Sequence, residues 1–289
     1  MNCSPRLQQV KCLSAAGFHS MSYREWGAAD NPRVLVCVHG LSRVGRDFDR
    51  LAAALQADVR VICPDVVGRG DSDWLLPPAV YGMPQYAADM ATLIARLDVP
   101  QVDWLGTSMG GLIGIALAGQ ARAPIRRLIL NDVGPRIEAE SLTRIGDYIG
   151  RPQHFADFDA ALAYVKAVSA PFGLKSEGDW RELTASVVRP DGNGLRLHYD
   201  LAIGASFRSI TPAIAAAGEA AMWQLYDRIT APTLLVRGEK SDLLSRATAA
   251  EMSQRGPRAR LVEVAGVGHA PMFMDAEQIA LVRDFLLGD

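Results

Sequence analysis

A serine lies among glycines in Gly106-Thr107-Ser108-Met109-Gly110-Gly111, between the apolar runs Val102-Asp103-Trp104-Leu105 and Leu112-Ile113-Gly114-Ile115-Ala116-Leu117-Ala118. The first run reads as a strand and the second as a helix, so Ser108 falls on a sharp strand-to-helix turn that lifts its hydroxyl clear of the sheet. The helix that follows aims its free N–H groups at the same place, which suits a developing oxyanion. A serine hydroxyl is a weak nucleophile at neutral pH, so this chemistry requires a base and an acid that orients the base.

The chain has five histidines. His19 lies in an early strand pattern, His39 in a tight turn after a strand, and His154 and His198 in the middle region. His269 lies in Gly266-Val267-Gly268-His269-Ala270-Pro271, beyond the last strand pattern Arg260-Leu261-Val262-Glu263-Val264. A nucleophile elbow of this kind has its partners in the chain order Ser, acid, His, and His269 satisfies that order as the base. His39 precedes Ser108 and reads as a structural residue holding its turn. Two aspartates compete for the acid, with Glu239 a third candidate. Asp242 closes the loop Gly238-Glu239-Lys240-Ser241-Asp242 after the strand pattern Thr233-Leu234-Leu235-Val236-Arg237. Asp132 follows Arg127-Leu128-Ile129-Leu130-Asn131. Asp242 is favoured, because Asp132 could equally cap the turn before Gly134-Pro135. The run Val34-Leu35-Val36-Cys37-Val38 reads as a buried parallel strand that His39-Gly40-Leu41-Ser42 ends abruptly. The natural oxyanion donors are then the amides of Leu41 and Met109.

With His39-Gly40, Asp65-Val66-Val67-Gly68-Arg69-Gly70-Asp71-Ser72, the Ser108 elbow, the Asp242 loop and Gly268-His269 in this order, the chain resembles the α/β-hydrolases over roughly residues 20–285. The likeness is to the esterase and lactonase branch with a helical cap. It implies Ser108 as nucleophile, Asp242 as acid and His269 as base, with no cofactor and no metal. Ser108 excludes the members with an aspartate nucleophile, the dehalogenases and epoxide hydrolases; Ser42 also stands where epoxide hydrolases tend to carry proline. Ala270 follows His269 where the carbon–carbon bond hydrolases usually carry tryptophan, which counts against that assignment.

The elements that must position these residues alternate between strand and helix. Strand patterns fall near 9–14, 19–25, 34–38, 59–63, 102–106, 126–131, 232–237 and 260–264. Helical patterns fall near 47–56, 84–97, 109–120, 243–254 and 275–287. This rhythm predicts an α/β fold with a mostly parallel central sheet covered by helices on both faces and joined by right-handed crossovers. The break is 135–228, far longer than the roughly dozen residues a crossover needs. Residues 1–134 and 229–289 therefore read as the core, and 135–228 as an inserted cap over the strands' C-terminal ends. Within it, Phe158 to Val168 reads as helix and Arg189-Pro190-Asp191-Gly192-Asn193-Gly194 as a turn. Phe155, Phe172 and Trp223 are candidates to line an acyl or alcohol pocket, or are simply core. Asp65 to Ser72 reads as turn chemistry, lacking the ligand count of a metal site.

Composition narrows the partners. A net charge of −2 from 30 basic and 32 acidic residues without basic blocks argues against nucleic acid. No apolar run is long enough to span a membrane and Met1 to Lys11 has no signal-peptide core, so a soluble cytoplasmic protein is expected. Of the four cysteines, Cys37 and Cys63 read as buried small hydrophobes, and Cys3 and Cys12 make no disulfide framework. The expected activity is hydrolysis of small to medium uncharged carboxylic esters through an acyl-enzyme, since the inserted segment concentrates neither Lys nor Arg. Lactones, thioesters and carbon–carbon bonds are alternatives on the same triad. A binding protein without catalysis is the rival class, and the oligomeric state is open.

Overall fold

In the computed structural model, residues 4–208 and 211–288 are described, those at 206–208 by their backbone alone. The elements run β1 (Arg6–Ser14), β2 (Gly17–Trp26), β3 (Val34–Val38), α1 (Asp49–Leu55), β4 (Arg60–Pro64), α2 (Met83–Arg96), β5 (Val102–Thr107), α3 (Met109–Ala118) and β6 (Ile125–Asn131). A long excursion follows: α4 (Ala139–Tyr148), α5 (Phe158–Ser169), α6 (Glu177–Val187), β7 (Val188–Asp191), β8 (Gly194–Leu197), α7 (Ile203–Arg208) and α8 (Pro212–Tyr226). The chain closes with β9 (Thr233–Gly238), α9 (Arg246–Met252), β10 (Arg260–Val264) and α10 (Ala276–Leu287).

Eight strands form one sheet in the order β1-β2-β4-β3-β5-β6-β9-β10. The first two pairings, β1 with β2 and β2 with β4, are antiparallel; all the others are parallel. Every residue of β3 is buried, as the β-branched run requires of a strand covered on both faces. One face packs against α2, α3, α8 and α9 through residues such as Met90, Ile113, Tyr226 and Met252. The other packs against α1 and α10 through Leu51, Leu55, Val282 and Leu286. The fold is thus the mostly parallel α/β sheet with helices on both faces that the strand–helix rhythm predicts.

The excursion between β6 and β9 differs from its expected form in two ways. Residues 188–197 are not a bare turn: β7 and β8 pair as an antiparallel hairpin with Gly192 in the left-handed region at its tip. Second, α8 packs on α3 in the core layer, and Trp223 lies there against Tyr226 beneath the Arg255 guanidinium. Trp223 therefore lines neither cavity described below. Phe155 also packs elsewhere, against Tyr164 with a backbone pairing to Leu195. Several helices begin where a side chain caps them: Asp157 accepts from Ala160, Ser176 and Asp179 form a capping box, and Asp275 accepts from Gln278.

Candidate active site

Ser108 occupies the turn between β5 and α3 with φ 53° and ψ −117°, a conformation non-glycine residues seldom adopt. Its neighbours explain how the turn closes. A Cβ on Gly106 would collide with the Gly110 carbonyl, and one on Gly110 would collide with the Val38 carbonyl of β3. The two glycines let α3 start directly against the sheet.

His269 Nε2 lies 3.0 Å from Ser108 Oγ, and its Nδ1 lies 2.8 Å from Asp132 Oδ2. An ionised carboxylate only accepts, so Nδ1–H donates to Asp132 and Nε2 is left to accept from the serine hydroxyl. Asp132 is fully buried. Its Oδ1 accepts from the Gly238 amide at 2.8 Å, and Oδ2 also accepts from Ser241 Oγ at 2.5 Å. The position follows from register. Thr107 of β5 pairs with Asn131 of β6, so Ser108 and Asp132 are the next residues on adjacent strands. Both turn away with matching positive φ, 53° and 54°.

Asp242, the expected acid, does not reach the imidazole. Its side chain is about half exposed and accepts from Arg144 Nε of α4 at 3.0 Å. The loop after β9 is held so that Ser241 faces inward and Asp242 outward: buried Arg237 donates to the Leu244 carbonyl, and Leu244 N donates to Ser241 Oγ. Glu239, the third candidate, accepts from the Gly266 amide at an exposed position. Ser241 is a contact of Asp132 that sequence reasoning missed; its only local sign was a place within the loop already suspected.

None of the other four histidines is placed to serve Ser108. His39 is fully buried, donating from Nδ1 to the Gly40 carbonyl at 2.7 Å and accepting at Nε2 from Val66 N at 2.9 Å. Burial, with lesser contributions from Arg69 and Arg43, pushes it down to about 3, so it stays neutral and holds the turn. His19 is buried against Asp89, His154 faces Asp191 at the surface, and His198 lies 3.9 Å from Asp71. Asp65 organises its loop by accepting from the amides of Gly45 and Asp71, and burial raises it to about 6. The only described side chains that could converge on a metal are Cys12, His19 and Asp89, on β1, β2 and α2. There Asp89 already accepts from Gln85 as well as facing His19, and burial pushes the Cys12 thiol up to about 12.

Two cavities meet at Ser108 and Leu41. The larger, about 730 Å³, is walled by Met83, Tyr86, Leu112, Ile137, Leu142 and Leu243, and Met109 borders it. The smaller, about 90 Å³, is lined by His269 together with Arg43, Arg144, Tyr148, Tyr164 and Phe172. Both draw walls from the excursion between β6 and β9, so that segment roofs the serine. Phe172 is the one proposed aromatic that reaches a cavity. The two arginines come from 43 and 144, far apart in the chain, which is why no local basic cluster announced them. Met109 is the first residue of α3, where an amide has no partner within the helix, and Leu41 follows Gly40 at the end of β3. Among the described residues, no helix is long and apolar enough to cross a membrane.

Comparison with known proteins gives consistent results. The model of the Alpha/beta hydrolase family matches residues 35–281. A 3-hydroxybutyrate-oligomer hydrolase of Cupriavidus necator is 53% identical, covering all of both chains. A solved structure of a putative hydrolase from Rickettsia typhi superposes with a TM-score of 0.89 at 31% identity, covering 98% of this chain and 99% of that one. An alpha/beta hydrolase from Novosphingobium aromaticivorans superposes with a TM-score of 0.86 at 33% identity, covering 99% of each.

Proposed function

Because the chain belongs to the alpha/beta hydrolase family, we propose that it is a serine hydrolase of carboxylic esters, with Ser108 as nucleophile, His269 as base and Asp132 as acid. The observation that carries this reading is the unbroken hydrogen-bond chain from Ser108 Oγ through His269 to the buried Asp132. Ser108 attacks the ester carbonyl as His269 Nε2 takes its proton. Asp132 holds the imidazole in the required tautomer and stabilises the imidazolium. The amides of Leu41 and Met109 stabilise the tetrahedral oxyanion. His269 then protonates the departing alcohol, and a water it activates releases the acid from Ser108. No step calls for a metal or cofactor.

The substrate class follows from the cavities and from the relative that is 53% identical. Two cavities meeting at the nucleophile suit an ester with an organic group on each side of the scissile bond, such as a short oligomer of a hydroxy acid. The larger cavity is apolar and takes a short to medium chain. Arg43 and Arg144 border the smaller cavity already paired with Asp47, which lines it too, and with Asp242, so it is the relative's name, not a free cation, that extends the expectation from uncharged esters to oligomers of a hydroxy acid. The test is a panel of 3-hydroxybutyrate dimers and trimers, p-nitrophenyl esters from acetyl to palmitoyl, lactones and acyl thioesters. The reading expects the oligomers and short esters to lead, with broad tolerance, because a methylene in an apolar pocket discriminates by only about 1–3 kcal/mol. Preference for palmitoyl esters, or turnover confined to thioesters, would overturn it.

A further inference from the structure

Arg69 is fully buried in the loop after β4, yet among the described residues no carboxylate pairs with it. Its guanidinium instead bonds to backbone and sulfur at the site. Nε donates to the Leu41 carbonyl at 2.8 Å and one terminal nitrogen to the Val67 carbonyl at 2.8 Å. The other terminal nitrogen lies 3.5 Å from the Met109 sulfur, and the group stacks over Tyr86 at 4.9 Å. Arg69 therefore touches both residues whose amides are assigned to the oxyanion. The peptide carrying the Leu41 N–H is fixed from its other end, because the Gly40 carbonyl accepts from His39. The next peptide is fixed by Arg69.

The loop itself is anchored to the roof. Gly70 N donates to the His198 carbonyl, Asp200 N donates to the Gly68 carbonyl, and Arg69 pairs with Tyr199. A buried arginine without an anionic partner is expensive to keep, whereas methionine or leucine would fill the same space without that cost. The cost is offset where negative charge develops nearby, because a fixed positive charge in a water-poor site favours that charge strongly.

We propose that Arg69 is a positioning residue of the oxyanion site, holding the Leu41 backbone through its carbonyl and the Met109 side chain through its sulfur, and placing uncompensated positive charge beneath the tetrahedral intermediate. This rests on the reading of Ser108 as the nucleophile of an ester hydrolase. The test compares wild type, Arg69→Met and Arg69→Lys. It uses p-nitrophenyl butyrate for kcat and KM, butylboronic acid as a tetrahedral mimic, and a butyl ketone as a planar one. For folded Arg69→Met, kcat should fall about 10²-fold with KM little changed, the scale on which a lost oxyanion contact is felt. Boronate affinity should fall in parallel and ketone affinity should not. Arg69→Lys keeps the charge but not the paired carbonyl bonds, so it should recover about one order of magnitude in kcat. Should Arg69→Met fail to fold, Arg69→Lys carries the test, with an expected loss of about tenfold in kcat and boronate affinity. Unchanged kcat and boronate affinity in a folded variant would overturn the proposal, as would equal losses for boronate and ketone. Covalent labelling of wild-type Ser108 by a fluorophosphonate separates the two claims: without labelling the hydrolase reading fails, and with labelling but an unaffected Arg69 variant only this one does.

Discussion

The loops that leave β6 and β9 each carry an aspartate at a parallel strand's C-terminal end, yet they do opposite things. Asp132 is fully buried and receives hydrogen bonds from His269, Ser241 and the Gly238 amide. Asp242 lies at the surface against Arg144. The difference comes from the sheet order, in which β6 lies between the nucleophile strand and β9. Register places Asp132 beside Ser108 without further help, whereas Asp242 must travel back from a strand farther away. The β9 loop nevertheless serves the site, supplying the two groups that grip Asp132. One loop holds the charge and the other holds that loop's carboxylate.

The largest effect that could sharpen this contrast is at the residue the chain serves. Ser108→Ala should lower kcat 10³-fold or more while leaving thermal unfolding near wild type, because triad members act as a unit. Near-wild-type turnover of p-nitrophenyl butyrate would break the account. Asp132→Asn should cost up to about 10⁴-fold in kcat, since an amide no longer selects the productive tautomer of His269. Ser241→Ala removes one donor to Asp132 and should cost about tenfold in kcat, with about 1 kcal/mol of stability lost by urea titration. Asp242→Asn should leave kcat within about twofold and shift stability by less than about 1 kcal/mol, the ordinary worth of an exposed ion pair. If Asp242→Asn proved more damaging than Ser241→Ala in steady-state assays, the division of labour between the loops would be wrong.

The turn after β3 offers a test on stability rather than rate. His39 is held near 3 by burial, so between 3 and its ordinary 6.5 the unfolded chain binds a proton that the folded one refuses. Stability therefore rises with pH across that window, and is lost as pH falls through it. Asp65 works in the other sense. Burial raises it to about 6, so its contribution is present below the ordinary carboxylate value near 4 and is lost as pH rises through 6. Between 4 and 6 the two offset each other. His39→Gln should remove the rising component, changing the slope by at most about 1.4 kcal/mol per pH unit. Urea unfolding at pH 4, 5 and 6 measures it, and a slope equal to wild type would contradict the burial argument.

How much of this was legible in the chain depends on how local each signal is. The Ser108 elbow, the buried β3 run and the His269 loop are written in contiguous residues, and glycines at 106 and 110 declare the close approach that the structure shows. The strand–helix rhythm carried the sheet in the same way. That Asp132 rather than Asp242 faces His269 was not legible, because choosing between them requires knowing which strand lies next to β5, a fact of sheet order. Arg43, after β3, and Arg144, on α4, come together only as lining of one cavity, and Trp223 packs in the core beside Tyr226 rather than on a cavity because α8 packs against α3. Arg69 lay in a motif read as turn chemistry; nothing in its neighbours shows that its guanidinium reaches Leu41 and Met109.

The central claim, that Asp132 and not Asp242 orients His269 to activate Ser108, is tested most directly by the rate at which a fluorophosphonate labels Ser108, followed by mass spectrometry. This readout does not depend on knowing the substrate. In wild type a single adduct should form on Ser108. The account predicts that labelling slows by at least about 10³-fold in Asp132→Asn, because Ser108 loses its activated base, while Asp242→Asn stays within about twofold of wild type. Slow labelling in Asp242→Asn with a wild-type rate in Asp132→Asn would contradict it.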